Sequence, residues 1–307
     1  MRLFSAADVA AALDPRALVE ALREGFRAGA TVPLRHHHPL PAAEAARGML
    51  LLMPAWREGA YMGVKIVSVF ADNPARGLAS VMGVYYLCEA DTGRPLAVLD
   101  GGELTRRRTA AASALAADYL ARPDAKTLLV VGAGALAPYF IAAHRAVRPY
   151  ARTLLYARDP AKAEAVAAGL DGVEVATDLR AAVEQADVIS CVTTSSTPVV
   201  PGAWLRPGQH LDMAGGFTPQ MRETDDDGVT RASIFIDTDG ALKEAGDLTQ
   251  PLAAGVITAD AVRGDLFRLT RGEVPGRTAA DEITLFKSVG TALEDLVAAA
   301  VAFEAGR

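Results

Sequence analysis

The chain reads as an α/β protein built on a parallel sheet, because it places a strand, a glycine turn and a helix in succession and then keeps alternating. Lys126-Thr127-Leu128-Leu129-Val130-Val131 is a short apolar segment rich in β-formers. It runs into Gly132-Ala133-Gly134-Ala135-Leu136-Ala137, and a helical pattern follows (Tyr139, Phe140, Ala143, Ala146, Val147) that ends near Pro149. This order is the context of a dinucleotide-binding Rossmann turn. Gly132 permits the tight turn, and Gly134 lets backbone approach a pyrophosphate. Ala135 and Leu136 open a helix whose N-terminus favours anions. Ala137 stands at the third glycine's place. The βαβ alternation continues through apolar runs at 173–175, 188–192, 210–213 and 234–236.

The remaining elements follow from the N-terminus. Residues 5–28 carry a helical pattern, with Ser5 as cap and Leu13, Leu18, Leu22 and Phe26 as core positions. Strand patterns occupy 49–53, 61–69 and 80–87, punctuated by Asp72-Asn73-Pro74 and Asp91-Thr92-Gly93. An Ala-rich helix over 105–120 leads into the nucleotide domain, and an apolar helix over 288–303 ends the chain. There are no internal repeats and no low-complexity segments.

The second strand of the nucleotide domain, 153–156, ends in Ala157-Arg158-Asp159-Pro160-Ala161-Lys162. An NAD site would place an acid there for the ribose hydroxyls. Arg158, with Lys162 a turn later, instead suits a 2′-phosphate, because a guanidinium offers a planar fork of donors. Asp159 is either a displaced ribose acid or a helix cap ahead of Pro160, and the cap is favoured. NADPH is therefore the preferred cofactor and NADH the second candidate.

Bulk properties narrow the class. The 307 residues, 51% hydrophobic and 22% charged, suffice for two domains with cores of their own. A net charge of −6 without a basic block argues against nucleic acid as a partner. No apolar run is long enough to cross a bilayer, and the first residues lack a signal core, so no membrane partner and a cytoplasmic location are expected. Cys88 and Cys191, the only cysteines, sit in apolar strand patterns and read as buried free thiols. His36-His37-His38 in extended chain would point at most His36 and His38 to one side, with no second cluster to complete a shell, so no metal is expected. Asp225-Asp226-Asp227 reads as a solvated helix start.

Lys65 interrupts Gly63-Val64-Lys65-Ile66-Val67, and Arg108 opens the run Arg108-Thr109-Ala110-Ala111-Ala112-Ser113. A cation in an apolar stretch is costly unless a protein acid or an anionic ligand meets it. Each is thus an interdomain salt bridge, a snorkelling side chain or part of an anion site. Arg106 and Arg107 are expected to face solvent.

Ordered along the chain, Pro33-Leu34-Arg35, Met53-Pro54, Gly63-Val64-Lys65, Arg76-Gly77-Leu78-Ala79-Ser80, the segment 104–113, Gly132-Ala133-Gly134, Val192-Thr193-Thr194, Ala214-Gly215-Gly216, Ser288-Val289-Gly290 and Glu294-Asp295 resemble the ornithine cyclodeaminase/mu-crystallin family. The resemblance implies a Rossmann domain (118–290) inserted in an α+β substrate-binding and dimerisation domain (1–117 with 291–307). It also implies a homodimer joined through the substrate-domain sheets. By position, Arg35, Lys65 and Arg108 match the family's clamp on the substrate carboxylate, with Met53 beside it. Thr109 matches a residue at the cofactor phosphates, Thr193-Thr194-Ser195 the stretch near the nicotinamide ribose, and Ser288 and Gly290 the nicotinamide lining. Ser80 falls where cyclodeaminases carry threonine near the reacting centre, or is simply a strand-start hydroxyl.

One departure bears on the reaction. Phe217, in Gly215-Gly216-Phe217-Thr218-Pro219-Gln220-Met221-Arg222-Glu223, holds the place of the cyclodeaminase aspartate that handles the distal amine. A phenyl ring cannot pair an ammonium, which disfavours ornithine cyclisation; it offers apolar surface to a small ring. This wording resembles the family's Δ1-pyrroline-2-carboxylate and Δ1-piperideine-2-carboxylate reductases, as does Ala241-Leu242-Lys243-Glu244-Ala245-Gly246-Asp247-Leu248. Glu244 and Asp247 otherwise read as loop or cap acids. The resemblance implies NAD(P)H-dependent reduction of a small cyclic imino acid, with Lys65, Ser80 and Arg108 in catalytic roles. Two alternatives stand beside it: an amino-acid dehydrogenase such as alanine dehydrogenase, and a non-catalytic NADPH- or ligand-binding protein like mu-crystallin.

Overall fold

A computed structural model describes residues 1–41, 46–70 and 72–306. The chain packs as two compact units, one of Met1–Arg108 plus the segment from Thr291 onward, the other of Thr109–Gly290.

The first unit opens with β1 (Arg2–Phe4), α1 (Ala6–Ala12) and α2 (Pro15–Ala28). The N-terminal helical pattern is thus two helices. Pro15 has no N–H to donate and Asp14 caps the new start by accepting from the Ala17 amide, so the chain turns between them. Ser5 caps α1 in a reciprocal box with Asp8. The strands β2 (His36–Pro41), β3 (Ala46–Trp56), β4 (Tyr61–Val69), β5 (Val81–Glu89) and β6 (Pro95–Asp100) follow. With β1 they form a six-stranded sheet in the order β1-β6-β5-β4-β3-β2, antiparallel except for the β1–β6 pair.

Period-two alternation gives this sheet two faces. Met53, Ala55, Gly63, Lys65, Val67, Tyr85 and Leu87 are buried or half-buried on one of them. Leu52, Val64, Ile66, Met82 and Val84 lie on the other, where Ile66 and Val84 remain 38% and 40% exposed. His36 and His38 share that outer side of the edge strand, ring edge to ring face.

The helix α3 (Gly101–Leu120) leaves the first unit and enters the second. It starts four residues before the Ala-rich pattern, because Asp100 accepts from the Glu103 amide and Gly101 fits against Gly83, where a Cβ would come within 2.7 Å of backbone. Arg106 and Arg107 depart from the solvent-facing expectation: both pair with Glu103, and Arg107 also donates to the Leu13 carbonyl.

The second unit comprises β7 (Thr127–Val131), α4 (Ala137–Val147), β8 (Arg152–Tyr156), α5 (Pro160–Ala167), β9 (Val173–Val175), α6 (Leu179–Gln185), β10 (Val188–Cys191), β11 (His210–Met213), α7 (Asp226–Arg231), β12 (Ser233–Ile236), α8 (Ala241–Glu244), α9 (Gly246–Ala253), β13 (Val262–Asp265), α10 (Leu266–Arg271) and β14 (Thr284–Lys287). Its eight strands are all parallel, in the order β13-β12-β14-β11-β10-β7-β8-β9. β9-β8-β7-β10-β11 is the Rossmann core order, in which ligands sit at the carboxyl ends of the strands. Asp225 is not simply solvated: it caps α7 and also accepts from the Gly202 amide.

The chain closes with α11 (Ala292–Ala305), which packs against α2, β3, β4 and β5. This helix starts later than its apolar pattern, since Gly290 adopts φ 78° and Thr291 supplies the cap. Both cysteines are buried free thiols. Among the described residues no helix is long and apolar enough to cross a membrane.

Candidate active site

The first unit concentrates charge where its sheet meets α11. Lys65, at the middle of β4, points to the inner face opposite Met53 on β3 and Tyr85 on β5. Its Nζ lies 2.8 Å from both carboxylate oxygens of Asp295. Arg108, near the middle of α3, donates from Nε to Asp295 Oδ1 at 3.0 Å and from a terminal nitrogen to Glu294 Oε2 at 2.6 Å. All four side chains are buried. Half-buried Arg35 joins them electrostatically, its charge acting on both Lys65 and Asp295.

Burial and the Arg108 charge pull the Lys65 ammonium down to about 8, against the attraction of Asp295. Burial opposes charge on Asp295, but Lys65 and Arg108 hold its carboxyl below the usual aspartate value. With Arg35 counted, three cations against two carboxylates leave one net positive charge, which one further anionic group would balance. Lys65 and Arg108 are therefore paired by protein acids within their own unit. This does not remove them from an anion site, since a guanidinium carries five N–H donors and an ammonium three, more than one carboxylate oxygen engages. Ser80 directly precedes β5, its carbonyl accepting from the Phe70 amide.

The second unit assembles the dinucleotide end. Gly132 has φ 114°, and its amide donates to the Tyr156 carbonyl at 2.8 Å, tying the turn to β8. A Cβ on Gly132 would come 3.0 Å from the Val192 carbonyl, whereas the space at Gly134 holds no heavy atom within 4 Å. No side chain caps the N-terminus of α4. An open glycine turn before an uncapped helix start is what a pyrophosphate requires, so Gly132, Gly134, Ala135 and Leu136 fit the group. Arg158 and Lys162 are exposed beyond β8. Asp159 caps α5 by accepting from the Ala161 amide at 3.2 Å, as the cap reading expects. Thr109 is half-buried in α3.

Beyond the ends of β10, β11 and β14 lies a buried cluster. Glu223 accepts from the Thr193 amide (2.7 Å), the Thr193 hydroxyl (2.9 Å) and the Gly215 amide (2.9 Å), with the Gly216 amide at 3.3 Å. Asp247 accepts from the Glu223 and Thr224 amides, and Lys287 Nζ lies 2.9 Å from its other oxygen. Burial pushes the Glu223 carboxyl up to about 7, with Lys287 opposing. One carboxylate thus fixes both the loop of Thr193, Thr194 and Ser195 and the loop that carries Phe217, a residue 41% exposed. Asp237 likewise holds the Val289 and Gly290 amides beside buried Ser288. Asp247 is therefore no ordinary loop acid. Sequence reasoning missed Lys287 in this cluster, although it stands in Thr284-Leu285-Phe286-Lys287 as Lys65 does in β4: a cation in an apolar strand. Asp212 sits deeper: burial opposes its charge, but bonds from His144, Ser190 and Ser113 hold the carboxyl down. Among the described residues no group of His, Cys, Asp and Glu could hold a metal.

A sequence model of the ornithine cyclodeaminase/mu-crystallin family matches residues 2–306. The chain is 40% identical over 311 residues to the Δ1-pyrroline-2-carboxylate reductase of Paracoccus denitrificans, covering 97% of this chain and 95% of that protein. It superposes with TM-score 0.93 and 34% identity on the Thermococcus litoralis Δ1-pyrroline-2-carboxylate reductase in complex with NADH and L-proline, covering 100% of this chain and 97% of that one. An archaeal alanine dehydrogenase dimer with bound NAD gives TM-score 0.92 at 29% identity, over 100% of this chain and 96% of that one. With a match that spans nearly every residue, the chain belongs to the ornithine cyclodeaminase/mu-crystallin family, and within it resembles the pyrroline-2-carboxylate reductases.

Proposed function

We propose that this oxidoreductase reduces Δ1-pyrroline-2-carboxylate, Δ1-piperideine-2-carboxylate or both to L-proline and L-pipecolate, with NADPH preferred over NADH. The observation that carries the reading is the one-net-positive cluster of Arg35, Lys65, Arg108, Glu294 and Asp295, in a family member that has Phe217 where the resemblance places the cyclodeaminase aspartate. Arg35, Lys65 and Arg108 bind the carboxylate beside Met53, and Phe217 offers apolar surface to the ring. The imine nitrogen must carry a proton before reduction, since addition to neutral C=N would leave an amide anion. Lys65, with its ammonium drawn down to about 8, is a suitable donor near neutrality. Ser80 through water is the other candidate.

Thr109, Gly132, Gly134, Ala135 and Leu136 would hold the cofactor phosphates, Arg158 and Lys162 a 2′-phosphate. Thr193, Thr194, Ser195, Ser288 and Gly290 would line the nicotinamide end. When bound, the reduced nicotinamide supplies the hydride for C2. The protein's own contribution is positioning and charge complementarity. The apolar outer sheet face with Ile66, Met82 and Val84 suits a homodimer through the first unit.

The similarity to an alanine dehydrogenase favours one second reading, reductive amination of an open-chain 2-oxo acid. Oxidation of NADPH and NADH is followed with the five-ring imine, the six-ring imine, pyruvate plus ammonium, and pyruvate alone. The proposal expects turnover with a ring imine in ammonium-free buffer; turnover only with pyruvate plus ammonium replaces it.

A further inference from the structure

Two consecutive acids, Glu294 and Asp295, stand fully buried in a helix whose other buried positions are Ala292, Leu293, Leu296, Ala298, Ala299, Ala302 and Phe303. Burying carboxylates costs more than filling the same space with apolar groups, so packing alone gives no reason for them. Asp295 takes the central place: one of its oxygens accepts from both Lys65 and Arg108. Glu294 touches Arg108 from the other side. Resting on the carboxylate-clamp reading above, we propose that Asp295 is a positioning residue of the reduction, which holds Lys65 as an ammonium and fixes it and Arg108 for a single substrate carboxylate.

The groups that face Lys65 come from every element around it. Arg108 approaches from α3, Asp295 from α11, Arg35 from the segment before β2, and Tyr85 from β5. The Tyr85 ring lies over Gly63, where a Cβ would come within 2.5 Å of it, so this buried ring closes one side of the cluster. Burial raises the Tyr85 hydroxyl's pKa, as does the Asp295 charge, so tyrosine stays neutral and supplies no counter-charge. Of the charges that act on Lys65, those of Arg108 and Arg35 push its proton off and that of Asp295 retains it. Without that carboxylate, a buried amine between two guanidinium groups loses its proton at lower pH. A neutral amine can neither pair a carboxylate nor protonate an imine. Asp295 thus acts through Lys65 and needs no contact with substrate.

The test is the pH dependence of kcat from about pH 6 to 10, with a ring imine and saturating cofactor, for the wild type, Asp295→Asn and Asp295→Glu. The inference expects Asp295→Asn to move the alkaline limb toward neutrality by about one pH unit or more. Asp295→Glu, which keeps the charge, should lower kcat yet leave the limb in place. A purely structural acid would lower kcat at every pH, and an unmoved limb in Asp295→Asn overturns the inference. Lys65→Met separates this failure from failure of the clamp: a Lys65→Met enzyme with wild-type kcat/KM removes the clamp itself. Where Asp295→Asn folds poorly, thermal melting of the Lys65→Met/Asp295→Asn double variant decides. Partial recovery of stability supports Asp295 as the counter-charge of Lys65, and additive losses overturn it.

Discussion

At the scale of single residues, the cofactor question rests on Arg158. Asp159 commits its carboxylate to the start of α5, while Arg158 and Lys162 are exposed just beyond β8, where the proposed cofactor site would read a ribose substituent. Arg158→Ala should therefore raise the KM for NADPH far more than that for NADH, with a loss of up to about 1–3 kcal/mol for a charge-assisted contact. Steady-state kinetics with both cofactors checks this; equal effects would return the ribose to Asp159. The cap at Asp159 was legible because Asp-Pro is a local signal. Lys65 and Arg108 were legible as anomalies, but what meets them was not. Their acids lie 230 and 187 residues further along the chain, beyond any pattern of local spacing.

At the scale of elements, Glu223 joins the ends of two strands. Its two oxygens collect amides from the loops after β10 and β11, so replacing it leaves several buried donors competing for one acceptor. Glu223→Gln should cost about 1–3 kcal/mol of stability and weaken cofactor binding, read by thermal melting and by NADPH fluorescence titration. The carboxyl is held near 7, above its unfolded value, so the folded state binds the extra proton. Its contribution to stability is thus fully present below about pH 4.5 and lost as pH rises through about 7; in Glu223→Gln this part of the pH dependence should vanish. Strands β4, β9 and β11 have the bounds that alternation and apolar runs predict. The boundaries that shifted did so at residues with backbone constraints: Pro15 divides the first helix, Gly101 advances the third and Gly290 delays the last. β13 and β14 escaped the sequence pattern, since four-residue strands in Val262–Asp265 and Thr284–Lys287 carry a polar residue at every second or third place.

At the scale of the whole molecule, the two units carry different features: the first buries the charges of Lys65, Arg108, Glu294 and Asp295, and the second carries the open glycine turn of Gly132 and Gly134. The parallel sheet was legible from its glycine turn, whereas the return of α11 to the first sheet came only through resemblance, because no local signal encodes a contact between the chain's ends. The exposed apolar face predicts assembly. An Ile66→Asp/Val84→Asp double variant, with one negative charge in each of two adjacent strands, should elute as a monomer in light-scattering chromatography where the wild type elutes as a dimer. Equal masses for the two would place the interface elsewhere.

In the proposed reaction, hydride reaches C2 of a ring imine whose carboxylate is held by Arg35, Lys65 and Arg108. The most direct measurement supplies NADPH carrying two deuterons at C4, together with Δ1-pyrroline-2-carboxylate in ammonium-free buffer, and analyses the product by proton NMR and chiral chromatography. The account predicts L-proline with one deuteron at C2, and loss of that product by about 30- to 1,000-fold in kcat/KM when Arg108→Met removes a contact worth about 2–4 kcal/mol in the transition state. Proline without deuterium at C2, or undiminished labelled product from a folded Arg108→Met enzyme, would contradict it.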